Sequence, residues 1–523
     1  MSEESIFSYD RVLYPNYLHT QTHPDRLATM TKFFGVHPKP VESCRVLELG
    51  CGTGSSLLSF AYDLPGSEFI GVDLSAKQIE LGKIAVNAVG LKNLSLRQGD
   101  ILEINRAGFG EFDYIIAHGL YSWVPENVRA QILNICRETL AEHGVAFVSY
   151  NTLPGCHFRQ MVREMMLFYS KNIASPTEKV SQSLGLLKFI ADASAVGKAH
   201  HQVLGEEFEK MSERNFENIY HDDLSAFNHP VYFHEFVSHA EEYQLQFVTE
   251  ASHFTTKDIN YPQEVLEIVQ KISGGDVIAF EQYLDFINNR RFRQTLLCRR
   301  ELDISRQPDL RVLQSVRIAS PLRPVSEKPE LSTAKHEEFT GQKNEKIEIN
   351  HPLTKAAFYH LGKFWTRSTT FAETVESGRK LLCGESGAEV EITQEDEQVL
   401  TDHLFQIFCT GMLRFHVHEP HYTTEVNEKP LASPIARWQA ENSESVSTLL
   451  CTSIVIQDAL GKQLLKLLDG TRDHSRLVGD LTAFIESPAL DQPSELKKNI
   501  LRELPVQLEK SLKDFAGLGL LVS

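Results

Sequence analysis

The stretch VLELGCGTGSS, residues 46–56, places an acid and three glycines where chemistry is expected. An apolar run ends around Glu48. Gly50, Cys51, Gly52 and Gly54 then form a tight turn into the helical run SSLLSFAYDL. Glycine at such a turn lets the backbone take unusual φ/ψ values and approach a ligand with no Cβ in the way. A dinucleotide pyrophosphate calls for helix N-terminal N–H donors and a GxGxxG pattern, but position 55, where the third glycine belongs, is Ser55. The pattern here is GxGxG with an acid two residues before its first glycine. That suits a ligand with an ammonium group, which seeks carbonyl and carboxylate acceptors, and S-adenosylmethionine has one.

Further acids sit at the right intervals. Asp73 lies 19 residues after Gly54, at the end of a second strand-like run, where a carboxylate accepts both ribose hydroxyls. Asp100 ends a third run, within reach of an adenine amino group, and Leu74 and Ile101 follow these acids as a sandwich for the ring. A fourth run ends at Ala117–His118–Gly119, so His118 edges both the cofactor and the methyl-transfer pocket. Tyr121 and Trp123 in HGLYSWVP, and Tyr150–Asn151 at the end of a fifth run, are candidates for a pocket wall that attracts an alkylammonium. A core role for Trp123 carries equal weight. Tyr14, Tyr17, His19 and His23 are candidates for a lid, with His19 or His118 as a base.

Two other constellations carry blander readings. His416, His418 and His421 in HVHEPH have no neighbouring cysteine or carboxylate set, so a solvated hairpin is expected and no metal. Arg290, Arg291, Arg293, Arg299 and Arg300 are expected to form structural ion pairs.

The elements that position these residues follow from periodicity. Apolar runs at 46–49, 68–74, 94–101, 112–119 and 145–151 alternate with amphipathic helical runs. The fold class expected is therefore α/β: a Rossmann-like, mostly parallel, doubly wound sheet. Ser75 with Gln78 three residues on has capping-box spacing. Residues 155–215 read as helical, 234–251 as a helix followed by a strand, and 291–300 as another strand; the last two complete the sheet after a helical insertion. Residues 321–350 are polar and aperiodic and read as a linker. HLFQIFCTGMLRFHVHEP, residues 403–420, looks like a helix entering a hairpin strand, as in winged-helix modules. The divisions expected are 1–175 for the cofactor-binding core, 176–320 for a helical insertion that completes the sheet, 321–350 for the linker and 351–523 for a mainly helical C-terminal domain.

With 523 residues, the chain is too long for one compact domain. Its net charge of −18 argues against a general nucleic-acid binder. Eight cysteines, none spaced as CxxC, do not make a disulfide scaffold. The first residues, MSEESIFSYD, lack the basic and apolar regions of a signal peptide, and no apolar run is long enough to span a bilayer, so a cytoplasmic location is expected.

Residues 46–120 resemble the class I S-adenosylmethionine-dependent methyltransferases. YDRVLYPNYLHTQTHPDRL, HGLYSWVP, SYNTLPGCHFRQMVREMM, the segments 221–251 and 285–300, and LDGTRDHSRL are similar to a narrower bacterial group, methyltransferases with a methyltransferase regulatory domain. That group includes rickettsial protein-lysine methyltransferases. The resemblance implies Glu48, Gly50, Gly52, Gly54, Asp73 and Asp100 as cofactor residues, S-adenosylmethionine as cofactor and N-methylation of protein lysine as the activity. The alternatives are a small-molecule O- or N-methyltransferase, or a cofactor-binding regulatory protein. A (D/N)PP(Y/F) motif is absent after FDYIIAHG, which argues against methylation of adenine or glutamine. The partners expected are a protein or small-molecule acceptor and, in a homodimer, a second copy; no nucleic acid and no membrane insertion is expected.

Overall fold

A computed structural model describes residues 10–14, 17–252, 261–384 and 390–523. The first nine residues, read above as lacking a signal peptide, lie outside the described residues. Seven strands form the central sheet: β1 (Arg45–Leu49), β2 (Glu68–Asp73), β3 (Leu94–Gln98), β4 (Phe112–Ala117), β5 (Leu140–Asn151), β6 (Leu245–Glu250) and β7 (Phe292–Arg299). Their order is β3-β2-β1-β4-β5-β7-β6. Strands β1 to β5 pair in parallel, and β7 is antiparallel to both its neighbours. The chain leaves β1 toward β2 on one side and returns to β4 on the other. This reversal opens a crevice at the C-terminal ends of β1 and β4, the usual ligand position in open α/β sheets.

Helices cover both faces, and the near-continuous apolar runs of the inner strands follow from that double burial. One face packs Tyr114, Ile116 and Phe147 against α1 (Pro24–Lys32) and α2 (Ser55–Asp63). The other packs Ile115, Ala146 and Val148 against α4 (Glu126–Thr139) and Phe236, after α3 (Ala76–Val89) has linked β2 to β3. The Ser75 side chain accepts the Gln78 N–H at 3.2 Å, as its spacing predicts, and α3 stops at Gly90 in the left-handed region.

Between β5 and β6, α5 (His157–Ser170), α6 (Pro176–Ala193) and α7 (Ala199–Ser212) form the expected helical insertion with its own core of Val162, Met166, Leu187 and Leu204. Of the five arginines expected to form ion pairs, Arg290, Arg291 and Arg293 do so among the described residues, whereas Arg299 donates to the Leu140 carbonyl. Arg293, fully buried, meets Glu250, Glu281 and Asp285, while Arg290 and Arg291 pair with Asp285 and Glu207.

Two expectations need correction. Residues 321–350 are not a bare linker: β9 (Arg323–Pro324), β10 (Glu337–Thr340) and β11 (Lys346–Ile349) form a small antiparallel sheet. The polar stretch before β10 is ordered by Lys355, whose fully buried ammonium donates to the carbonyls of Glu330, Thr333 and Lys335 at 2.6, 2.7 and 2.9 Å. A distant lysine that satisfies backbone acceptors leaves no trace in local periodicity. Second, the helix Gln394–Cys409 does run into a strand within 403–420, but that strand is not part of a hairpin. The strand, β13 (Arg414–His416), pairs with β8 (Arg317–Ala319), almost a hundred residues upstream in the sequence. A separate core built on Leu464, Leu481, Leu508 and Leu512 holds the C-terminal helices together. Among the described residues no helix is long and apolar enough to cross a membrane.

The HVHEPH tract is a further correction. His421 is exposed as expected, but His416 and His418 are withdrawn from solvent. The His416 Nδ1 lies 2.8 Å from Asp25, and the Asp25 carboxylate also accepts the N–H groups of Val417 and His418 at 2.6 and 3.0 Å. His418, buried, sits with Nε2 3.3 Å from Asp63 and Nδ1 3.2 Å from Glu42. His23 approaches the same Asp63 oxygen at 3.4 Å. Its Nδ1 accepts the Asp25 N–H, so the proton on Nε2 faces the carboxylate. This buried clasp joins the N-terminal segment, the end of α2 and the second half of the chain.

Hydrogen bonds and charge from Asp63, opposing the larger cost of burial, raise His418 to about 9, while the two histidines hold Asp63 down to about 2. His418 has a folded pKa above its unfolded value. Its contribution, on the order of 3 kcal/mol, is therefore complete below pH ~6.5 and lost as pH rises through ~9. The melting temperature of the wild type is expected to fall over that window. His418→Ala should be less stable at pH 6 and show a flatter profile. Parallel profiles for the two proteins would contradict the clasp.

Candidate active site

The crevice is built first by backbone. Gly50, Gly52 and Gly54 all have positive φ, +71°, +56° and +71°. A Cβ on Gly54 would lie 2.7 Å from the Leu96 side chain, and one on Gly82 of α3 would lie 2.3 Å from the Thr53 carbonyl. Glycine is thus required at the turn for its conformation, and in α3 for close packing against the turn. Cys51 contributes packing, since a Cβ on Gly71 would meet its Sγ at 2.8 Å.

Glu48 and Asp73 meet at this turn. Asp73 accepts the Gly52 N–H at 2.8 Å and the Ser75 N–H at 2.9 Å, one on each carboxylate oxygen. Burial raises its pKa against those two bonds. Glu48 is 6% exposed, and its Oε2 has no hydrogen-bond partner among the described residues. Burial, and then the charge of Asp73, push Glu48 up to about 8. A buried carboxylate without a partner is costly unless a cation completes it. The donor set therefore fits the methionine ammonium of S-adenosylmethionine. Gln78 Oε1 is a second buried acceptor without a partner, 3.8 Å from where a Gly52 Cβ would be. Its place on the helix after β2 gave no sequence signal, because Gln78 read only as a capping residue.

Asp100 follows β3 and uses one oxygen to cap the turn 101–103 through the Leu102 N–H, at 3.0 Å. Leu74 and Ile101 are half-buried beside the two acids.

On the acceptor side, His118 extends β4 and is half-buried. Its Nδ1 lies 2.9 Å from the Ser149 hydroxyl, and its ring tilts against His19 with centroids 4.0 Å apart. Phe147 and Phe292 flank it at 5.7 and 6.2 Å. Burial lowers His19 to about 4 and takes His118 well below its usual range, helped by His19. Both rings are therefore neutral at physiological pH.

The lid candidates Tyr14, Tyr17 and His19 lie on an N-terminal segment that hydrogen bonds tie to the rest of the chain. The backbone N–H of His19 donates to Ser56 at 3.2 Å, Tyr17 Oη accepts from Asn215 and Asn218, and Ser75 donates to Asp10 at 2.6 Å. Tyr14 contacts Asp222 at 3.4 Å. His23 belongs instead to the buried clasp.

The proposed aromatic wall is corrected. Tyr121 is 2% exposed, hydrogen-bonds His239 at 2.7 Å and packs on Phe236. Tyr150 is fully buried, stacks on Phe236 and bonds Thr295 at 3.0 Å. Asn151 is buried, donates its side-chain N–H to Asn228 and its backbone N–H to Ser122. Tyr121 and Tyr150 lie in the core on the sheet face opposite Phe147, and because side chains alternate along a strand Asn151 takes the other face from Tyr150. Trp123 is half-buried in the short turn Tyr121–Trp123.

A sheet of this order with a glycine-rich turn and acids at the ends of β1 and β2 defines a class I S-adenosylmethionine-dependent methyltransferase. Comparison with known proteins agrees. Residues 40–213 match a methyltransferase domain, 215–299 a predicted methyltransferase regulatory domain, and 428–520 the C-terminal winged helix domain of PKMT. The last match places the winged helix downstream of the 403–420 segment. Residues matched to the regulatory domain supply β6 and β7 of the central sheet.

PKMT2 from Rickettsia typhi, solved alone and in complex with AdoHcy, is 30% identical, with a TM-score of 0.84 over 98% of this chain and 100% of that one. The uncharacterized protein RP789 of Rickettsia prowazekii is 31% identical over 98% of this chain and 93% of its own length. The uncharacterized protein RP028 of the same organism is 40% identical over 45% of this chain and 94% of its own length. The chain belongs to the family of methyltransferases that includes PKMT2, and S-adenosylmethionine is its cofactor.

Proposed function

We propose that the acceptor is the side-chain amine of a lysine in a protein, and that residues 351–523 help dock that protein. The carrying observation is full-length similarity to PKMT2, the C-terminal winged helix included. S-adenosylmethionine supplies, when bound, a methyl activated on a positive sulfur, whose transfer to nitrogen moves the S–C electron pair to sulfur and leaves the nitrogen to shed a proton to water. The chain's work is to bind, align and dry the reactants, which is worth roughly 7–11 kcal/mol. Glu48 pairs with the ammonium, Asp73 accepts the ribose hydroxyls and Asp100 reaches the adenine, with Leu74 and Ile101 against the ring. A lysine has a free pKa of about 10.4 and reacts only as the neutral amine. The uncharged His19–His118 pair adds no positive charge next to the sulfur, and the half-buried pocket favours the neutral amine. Among the described residues no two cysteines form a disulfide, which supports a reducing, cytoplasmic setting.

The test is incubation of the protein with methyl-labelled cofactor and host lysate, with and without small molecules removed. Label in a protein band with methyl-lysine by mass spectrometry is expected. Label confined to the small-molecule fraction would overturn the protein-lysine reading.

A further inference from the structure

The residues that set the state of the two histidines lie outside the cofactor motif. Ser149, on β5, is fully buried. Its Oγ accepts the Gly119 N–H at 2.8 Å, just past the end of β4, where Gly119 has φ +61°. A buried hydroxyl also needs an acceptor for its own proton. The one recorded is His118 Nδ1, at 2.9 Å. A neutral imidazole carries one N–H, so a ring that accepts at Nδ1 holds its proton on Nε2. His118 then presents a donor to the crevice and cannot serve as its base.

His19 differs. Its backbone is fixed by Ser56, while neither ring nitrogen bonds to any described residue. A neutral ring always keeps one bare nitrogen. His19 lies on the N-terminal segment, which Asp10 and Tyr17 tie to Ser75 and to Asn215 and Asn218.

We propose that Ser149 is a positioning residue that locks His118 as an N–H donor, and that the bare nitrogen of His19 accepts an N–H of the incoming amine and so aims its lone pair at the methyl group. The two rings divide the work: a fixed donor on the sheet and an acceptor on the segment that covers it. Phe147 and Phe292 hold the His118 ring edge-on or tilted, so its orientation is set by packing and its tautomer by Ser149.

The role of His19 rests on the amine reading above; the tautomer of His118 does not. The direct measurement is a two-bond ¹H–¹⁵N correlation spectrum of histidine-labelled full-length protein, with His118 assigned by loss of its signals in His118→Gln. An unprotonated Nδ1 and a protonated Nε2 are expected in the wild type, a mixture of tautomers in Ser149→Ala, and the wild-type pattern in Ser149→Thr, which keeps the hydroxyl. A protonated Nδ1 in the wild type would overturn the assignment of Ser149, whatever the acceptor proves to be.

In the transfer assay, Ser149→Ala and His19→Ala are each expected to lower kcat by about 5- to 10-fold, the loss of one hydrogen bond. Their cofactor affinity should stay within about 2-fold of wild type, and His19→Asn, which keeps an acceptor, should recover most of the rate. Unchanged kcat in His19→Ala, with methyl-lysine still formed, would overturn the role of His19 and leave the lysine reading standing.

Discussion

Glu48→Gln is expected to weaken S-adenosylmethionine binding by about 10²- to 10³-fold while raising the melting temperature of the cofactor-free protein. Both effects come from one buried carboxylate whose Oε2 has no partner among the described residues. Breaking a buried ion pair by removing one partner costs about 3–5 kcal/mol, which sets the affinity loss. Stability moves the other way. Burial lifts the folded pKa of Glu48 to about 8, above its unfolded value, so the protonated form is favoured on folding. Its contribution is fully present below pH ~4.5 and is lost as pH rises toward 8. A glutamine has no charge to bury, so the variant should gain most over wild type at pH 8 and little at pH 4.5. The same argument makes binding proton-linked. At pH 7 the free carboxyl is mostly protonated, and pairing with an ammonium drives the proton off. Calorimetry in two buffers of different ionisation enthalpy should show close to one proton released by wild type and none by Glu48→Gln. Equal affinity in the two proteins would remove Glu48 from the site.

Asp73→Ala is the second large effect, and here affinity and stability fall together. Asp73 accepts two backbone N–H groups, from Gly52 of the binding turn and from Ser75 at the cap of α3, before any ligand arrives. Loss of the carboxylate leaves both donors to find other partners, at about 1–3 kcal/mol for each that stays buried. It also removes the acceptor for the ribose hydroxyls, so binding should fall by at least about 10²-fold, on the scale of two charged hydrogen bonds. Asp73→Asn keeps one carbonyl oxygen and should lie between the two in both measurements. Differential scanning calorimetry without cofactor separates the parts. A variant that melts like wild type yet fails to bind would place Asp73 on the ligand alone, and one that melts early yet binds normally would make it a turn residue only.

Glu48, Gly50, Gly52, Gly54 and Asp73 were legible in the sequence because local rules govern them. A positive-φ turn demands glycine, and acids at strand ends must face the crevice once the strands are parallel. The sheet was legible for the same reason, including β6 and β7, which return after a long helical insertion. Side-chain direction was not. Tyr121 follows β4, and Tyr150 and Asn151 end β5, but strand alternation turns Tyr150 and Asn151 to opposite faces and both tyrosines pack on Phe236. Contacts between distant residues were equally hidden. His418 read as a solvated hairpin residue because Asp63 and Glu42 lie more than three hundred residues away. The polar 321–350 segment read as a linker because its ordering group is the buried ammonium of Lys355. Ser149 is one small residue inside an apolar strand, and only the turn at Gly119 gives it meaning.

The most direct test of the central claim is transfer itself, measured on wild type and Glu48→Gln side by side with isotope-labelled S-adenosylmethionine and an acceptor protein taken from the labelled lysate bands. The account predicts methyl groups on lysine side-chain nitrogens, mapped by tandem mass spectrometry, in the wild-type reaction, and a rate at least about 10²-fold lower in the variant at sub-saturating cofactor. Equal labelling by both proteins, or label on residues other than lysine, would contradict it.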